Sequence, residues 1–566
     1  MSKLQRIGRW SLAVSAGALL AAGWFTGAGG VRAQASAPVA TPQVVAMRRL
    51  SESQYRNTIA DIFGPDIRVA GRFEPVVRPV HELIASGARD ASLSPAGLEQ
   101  FDAMARNIAG QVFGEANRAR FVPCVPASAN AADEACAKAT LAPIGRYLFR
   151  RPLSNAELGF YVRLADRAAA PTGSFHKGLE LALAAMLDSP RFLYVTETAE
   201  PDPARPGHLR LDNWSRAARL SFMLWNSTPN ETLLKAAAEG RLTDQKQLSD
   251  MAAHMVGSPR FEQGLRAFFA DMLLFERFDD LSKDPIIYPY FNTEVAAALP
   301  EQMLRTVTDH LLTRNGDYRA LFTTPRTFMT RPLGGLYGVP VAKPKGWEPF
   351  QFPAGDDRAG LLGQAGFLAL YAHPGRSSPT LRGRAIRELL LCQPVPDPPG
   401  NVNFTAVQDV NNKAKPTARI RLETHISDPV CAGCHTVIDP VGLGLERFDG
   451  IGRWRATENE ARIDASGQID NLKFAGAPGL GQAISKMPEA TQCVASRALE
   501  YARGWPAGED GALVDALDRK FGASGYSIRA LFQAVASLPE AYQPKGGIEV
   551  GNTHVTMAAN PRQASR

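Results

Sequence analysis

Beyond residue 25 the 566-residue chain has no apolar run that approaches membrane-spanning length, so the mature protein is expected to be soluble or peripheral. It has no Lys/Arg block and no basic–aromatic stripe, which argues against nucleic-acid binding. Its net charge of +7 is small for this size and at most biases docking toward acidic partners. The G-x-S-x-G elbow, the P-loop, HExxH and the dinucleotide fingerprint are all missing, so the chemistries they carry have no foothold. Strand signals are sparse and no internal repeat stands out, which leaves a mainly α fold as the expectation. Cysteine and histidine are scarce as well, at six and nine residues.

That scarcity gives weight to Cys431-Ala432-Gly433-Cys434-His435. Chance assembly of CxxCH from this composition is on the order of one in a thousand, and the pentapeptide is the attachment signature of c-type haem. The two thiols add to the haem vinyl groups, and the adjoining imidazole binds the iron from one side. Zinc is a weaker rival, because neighbouring Cys and His rarely present both side chains to one tetrahedral ion and no second CxxC or HxxxH pair completes a site. A thioredoxin-like dithiol would want a strand-to-helix turn, whereas this motif follows Asp428-Pro429 in helical surroundings. The expected cofactor is therefore one covalently attached haem c, with Cys431 and Cys434 as attachment points and His435 as proximal iron ligand.

The neighbours follow from that expectation. A ligating histidine normally donates its second ring N–H to a carbonyl or carboxylate. Ile438 to Leu443 is expected to wrap that face with a backbone carbonyl near Pro440 as acceptor, and Asp439 reads equally well as a plain turn residue. Leu443, Leu445, Phe448 and Trp454 suit macrocycle cover or ordinary core. For the sixth iron position Met487, His373 and His425 are the candidates, and an open or water-bound position is the fourth option. Each candidate has a plainer reading: helix-end packing for Met487, a cap before Pro374 for His373, a loop residue near Asp428 for His425.

The chain start fits the compartment that haem c needs. Lys3, Arg6 and Arg9 form a basic n-region, Trp10 to Phe25 is mainly apolar, and small residues lead to Val31-Arg32-Ala33 and Ala33-Gln34-Ala35. Residues 1–35 are expected to be a signal peptide and the mature protein to be periplasmic or secreted. Of the remaining cysteines, Cys124 and Cys136 flank an Ala/Asn-rich loop and are expected to bridge, and Cys392 and Cys493 would tie the haem segment to the C-terminal helices.

Length suggests several domains. Ser51-x-x-Gln54, Ser94-Pro95 and Ser154-x-x-Glu157 predict helix starts, with Leu98, Phe101, Ala105, Ile108 and Val112 turned inward on the second helix. The organisation expected is an N-terminal helical domain over 45–120, a second over 121–200 carrying the Cys124/Cys136 loop, and a middle helical bundle over 207–335. A haem c-binding domain over 355–456, a C-terminal helical domain over 460–545 and a disordered tail over 546–566 complete it. Pro201 to Pro206 reads as a linker, 323–360 as an irregular connector, Ile463 to Phe474 as a short hairpin, and Leu480 to Tyr501 as one helix.

The chain also resembles a bacterial multidomain family of planctomycetes and proteobacteria, catalogued as consecutive domains of unknown function 1587, 1595, 1592, 1588 and 1585. The resemblance rests on Arg49-Leu50-Ser51-x-x-Gln54-Tyr55-Arg56-Asn57-Thr58-Ile59, Phe149-Arg150-Arg151-Pro152-Leu153 and Ser189-Pro190-Arg191-Phe192-Leu193. It continues through Arg219 to Asn226 with Pro229, Ser378-Pro379-Thr380-Leu381-Arg382-Gly383, and Cys431 to Arg455 with Asp439-Pro440-x-Gly442, Leu445-Glu446-x-Phe448-Asp449 and Gly452-Arg453-Trp454-Arg455. Gly71-Arg72-Phe73-Glu74 and Tyr501-Ala502-Arg503-Gly504-Trp505 depart from the family pattern. The resemblance implies a secreted, cytochrome-c-like protein and no particular reaction. The expected function is periplasmic electron transfer with a redox partner protein or a quinone-linked acceptor. A haem-dependent peroxidase or oxygenase with an open iron position is the alternative, and a haem-stabilised binding scaffold the third.

Overall fold

Three serines open helices by the same local chemistry. In the computed structural model, which describes residues 43–397, 413–426, 429–508 and 510–545, strand β1 (Gln43–Arg49) leads into helix α1 (Glu52–Phe63). Ser51 Oγ accepts the Gln54 amide at 3.2 Å while Gln54 Oε1 accepts the Ser51 amide at 3.2 Å, closing a capping box. Helix α2 (Pro95–Phe113) starts at Ser94, whose hydroxyl accepts the Gly97 amide, with Pro95 in the first turn where its missing N–H is not needed. Helix α3 (Glu134–Leu148) is followed by α4 (Asn155–Thr172), opened by the Ser154/Glu157 box, and by α5 (Phe175–Leu187). All three predicted starts are found. Phe101, Ala105, Ile108 and Val112 are buried as expected, joined by Met104, whereas Leu98 is 48% exposed. Leu98 lies in the first turn of the helix.

The sequence reading assigns no strand to the N-terminal region, yet β1 pairs antiparallel with β2 (Tyr194–Pro201), and β2 pairs with β3 (Leu209–Leu211). The Pro-rich stretch read as a linker is the turn of the β2–β3 hairpin, closed by the Asp202 amide donating to the His208 carbonyl at 2.9 Å. Helices α6 (Asn213–Trp225), α7 (Glu231–Ala238), α8 (Gln245–Gly257), α9 (Phe261–Met272) and α10 (Thr293–Thr308) form the middle of the molecule. The 323–360 stretch is more regular than expected: β4 (Arg326–Met329) pairs with β5 (Glu348–Gln351) around a short helix over Arg331–Tyr337.

Helix α11 (Pro379–Ala385) passes into a π turn, and α12 (Ala418–Ile426) packs on α13 (Pro429–Leu443). The expected hairpin follows as β6 (Ser466–Ile469) and β7 (Leu472–Ala475). The last helices are α14 (Gly476–Ile484), α15 (Pro488–Arg503), α16 (Gly511–Ala523) and α17 (Ile528–Ala536). The single helix expected over 480–501 is two, because Pro488 has no amide proton to continue the first and instead opens the second.

One apolar core binds the middle helices to Val441, Leu445 and Phe448 and to α14–α17; a second holds α1–α5 together; a smaller third gathers around Leu299, Leu333 and Ala365. Both expected disulfides, Cys124–Cys136 and Cys392–Cys493, are formed. Among the described residues no helix is long and apolar enough to cross a membrane. The expected signal peptide 1–35 and the expected tail 546–566 lie outside the described residues.

Candidate functional site

The CxxCH pentapeptide is helical throughout, near the start of α13. At about 100° per residue, Cys431, Cys434 and His435 fall within roughly a 100° arc, so both sulfurs and the imidazole share one helix face. All three are half-buried, while Gly433 and Val437, on the other side of the helix, are exposed. A side chain added at Gly433 would meet open space, so the side of the helix turned away from the three motif side chains is uncrowded. Neither Cys431 nor Cys434 takes part in a disulfide.

One turn further along, the Asp439 carboxylate is fully buried and accepts a 2.8 Å hydrogen bond from His435 Nδ1. A carboxylate can only accept, which makes Nδ1 the protonated nitrogen and leaves the imidazole lone pair on Nε2. The second carboxylate oxygen accepts from Thr380 Oγ1 at 2.7 Å. This corrects the expectation of a backbone carbonyl near Pro440 and of Asp439 as a turn residue. The helix runs through Pro440 to Leu443, so residue 439 stands four positions from His435 on the same face, and the helix carbonyls point along the axis.

Thr380 belongs to α11, which crosses α13 at backbone contact. A Cβ at Gly383 would fall 1.9 Å from the Ile438 carbonyl, and one at Gly442 would fall 1.8 Å from the Pro379 carbonyl. Only glycine permits that approach, and it brings the Thr380 hydroxyl to Asp439. The same helix supplies Arg382, completely buried. Its guanidinium donates to the carbonyls of Leu445 (2.9 Å), Phe448 (2.8 Å), Asp449 (2.6 Å) and Leu368 (3.2 Å), and pairs with Glu446 at 3.3 Å. Glu446 is held in turn by Ser377 Oγ at 2.8 Å and Arg455 at 2.9 Å. The segment after α13 is thus tied to α11 by charge-assisted hydrogen bonds. Leu443, Leu445 and Phe448 are core residues, whereas Trp454 is 52% exposed with its indole N–H donated to Asp357 at 2.6 Å.

The three distal candidates sit on different elements. Met487 is buried in the main core at the N-cap of α15. His373 is half-buried just before α11, and burial, with Arg376 and Lys283 nearby, pushes its imidazole down to about 4, the neutral form that metal ligation requires. Its carbonyl accepts from Lys283 Nζ at 3.2 Å, and burial pushes that ammonium down to about 7. His425 belongs to α12, and its side chain lies outside the described residues. Among the described residues no group of three or more His, Cys, Asp and Glu side chains is arranged to hold a metal ion by itself.

Thr380 and Arg382 are site residues that motif reasoning passed over, and Asp439 reads there only as a turn residue. Their signal was present, since all three fall inside the stretches that carry the family resemblance.

The chain carries five consecutive domains, each described as a protein of unknown function: DUF1587 over residues 48–114, DUF1595 over 136–197, DUF1592 over 211–339, DUF1588 over 358–458 and DUF1585 over 470–539. The motif helix α13 and its partner α11 both fall within the DUF1588 match. No curated protein and no solved structure matches the chain significantly.

Proposed function

We propose that this is an exported monohaem c-type cytochrome-like protein that passes electrons outside the cytoplasm. The observation that carries the reading is the buried Asp439 carboxylate on His435 Nδ1, in a helix that presents Cys431, Cys434 and Nε2 of His435 together. This is the outer-shell arrangement that fixes the tautomer and orientation of a metal-ligating histidine. An attached haem would supply the one-electron couple; Cys431 and Cys434 would hold it and His435 would bind its iron. Electron transfer is favoured because Cys431, Cys434 and His435 are each only half-buried, so the face that would carry the haem is not sealed into the core. A partner protein or a quinone-linked acceptor can approach that face closely. Two disulfides and the leader-like first 35 residues support an oxidising compartment.

A second reading is a haem-dependent peroxidase or oxygenase with an open iron position, and it too has a specific support. A carboxylate on the far nitrogen raises the basicity of the proximal imidazole, which favours the higher iron oxidation states that such chemistry uses.

The test is expression in a host with a competent haem-attachment system, followed by intact mass and absorption spectroscopy. The expected result is a red protein heavier than its processed polypeptide by one haem, with the added mass lost in Cys431→Ala/Cys434→Ala. Colourless protein of polypeptide mass would refute both readings. A six-coordinate low-spin ferric spectrum indifferent to cyanide selects the carrier, and a high-spin form that binds cyanide selects the enzyme.

A further inference from the structure

A cavity of about 820 Å³ opens between β1, α1, α6, α9 and α15, and none of its lining residues belongs to the 355–456 segment that carries the haem motif. Its size is that of a small-molecule site. Much of the wall is apolar, from Phe222, Met223, Phe275 and Leu304 among others, and its charged groups are four arginines and three carboxylates. Most of those charges already have partners. Arg49 donates to the carbonyls of Ser92 and Pro75, Arg260 pairs with Asp61, and Arg266 with Glu301. Asp271 accepts the Ile84 and Ala85 amides and pairs with Arg78, as does Glu276.

Arg48 is paired less completely. It is 9% exposed, and its Nε and Nη2 are buried without a hydrogen bond among the described residues. Its ionic neighbour is Glu197, 3.2 Å away, but that carboxylate is already taken by Arg219 through Nε at 2.9 Å and Nη2 at 2.5 Å, with Arg89 at 3.6 Å. Three guanidinium groups therefore share one buried carboxylate, an excess of positive charge beside an apolar chamber. Burial pushes the Arg48 guanidinium down to about 10 even with Glu197 adjacent. On α9 the amide Nε2 of Gln263, which also lines the cavity, is a second buried donor without an acceptor. These atoms are enclosed within the wall, so it is the unbalanced charge around Arg48, and not a free donor, that the chamber meets.

We propose that this cavity binds an amphipathic organic carboxylate, its anionic end beside Arg48 and its alkyl or aromatic body against Phe222, Met223 and Leu304. The site stands apart from the haem motif and does not depend on the function proposed above.

The test is calorimetric titration of the purified full-length protein with decanoate, decanol and inorganic phosphate. Decanoate should bind one to one, decanol at least tenfold more weakly for want of charge, and phosphate more weakly still for want of an apolar body. Ala270→Trp, which fills the chamber from its wall, should abolish decanoate binding. Arg48→Met should weaken it tenfold or more provided its thermal melt shows a folded protein, and Ala270→Trp carries the test if it does not. Absence of decanoate binding, equal binding of decanol, or unchanged binding in Ala270→Trp would overturn the proposal. Phosphate binding as tightly as decanoate would overturn the ligand class and leave a simple anion site.

Discussion

Replacing Asp439 by Asn is a sharp probe of the motif helix because it changes charge and almost nothing else. The amide keeps one oxygen for His435 Nδ1 and turns its NH2 toward the Thr380 hydroxyl, so the imidazole stays in place. Laying the 2.8 Å hydrogen bond, the imidazole ring and a metal–nitrogen bond end to end puts the carboxylate about 6.5 Å from an iron on Nε2. At an effective dielectric near 20, one unit charge at that distance is worth about 2.5 kcal/mol. The ferric state carries one more positive charge than the ferrous state and loses that much stabilisation. For a one-electron couple the midpoint potential should therefore rise by roughly 110 mV. Spectroelectrochemical titration of the haem-loaded protein measures it directly. Thr380→Val supplies an internal control of opposite sign: it removes a donor from the same carboxylate, leaves more negative charge facing His435, and should lower the potential by a smaller amount. An Asp439→Asn protein with full haem content, an unchanged spectrum and a potential within about 20 mV of the parent would refute the electrostatic role assigned to this carboxylate.

Other outcomes follow from the same coordinates. Arg382→Met breaks a fully buried pair with Glu446 and strands four carbonyls, and should cost about 3–5 kcal/mol, read as a lowered thermal midpoint. Met487→Ala should convert a low-spin spectrum to high-spin if Met487 is the sixth ligand, and an unchanged spectrum assigns that place elsewhere. Removing the Cys392–Cys493 bridge, which spans 101 residues, should cost up to about 5 kcal/mol, measured by denaturant titration of the double Ser variant. Asp188, at the C-terminal cap of α5, is held above the ordinary carboxylate range by burial and by Asp102. The folded state therefore binds a proton that the unfolded state has released, and stability contributed by that group declines as pH rises from about 4. Asp188→Asn should raise the thermal midpoint at pH 8 and leave it unchanged near pH 4; an equal gain at both would show that charge is not the cause.

What could be read from the chain was whatever its residues settle locally. Ser51, Ser94 and Ser154 announce helices because their partners lie three residues away. Cys431 to His435 carries its chemistry in five letters. β1 was hidden because its partner strand is some 150 residues distant and its two valines give too short an alternation to register. Arg382 and Arg48 were hidden for a different reason. An arginine in a sequence suggests surface, and only the fold reveals that carbonyls converge on one and that a shared carboxylate crowds the other. Asp439 fell between the two cases. Its distance from His435 is a local matter, but the stretch read as a wrapping segment is helix, and the bond exists because that helix continues through Pro440 to Leu443.

The Cys392–Cys493 bridge encloses the attachment motif within a covalent loop. A protease that nicks the backbone anywhere between those two sulfurs leaves a two-chain molecule of undiminished mass under non-reducing conditions. Any group joined at Cys431 would then migrate with a smaller fragment only after reduction, whose size reports where the cut was made.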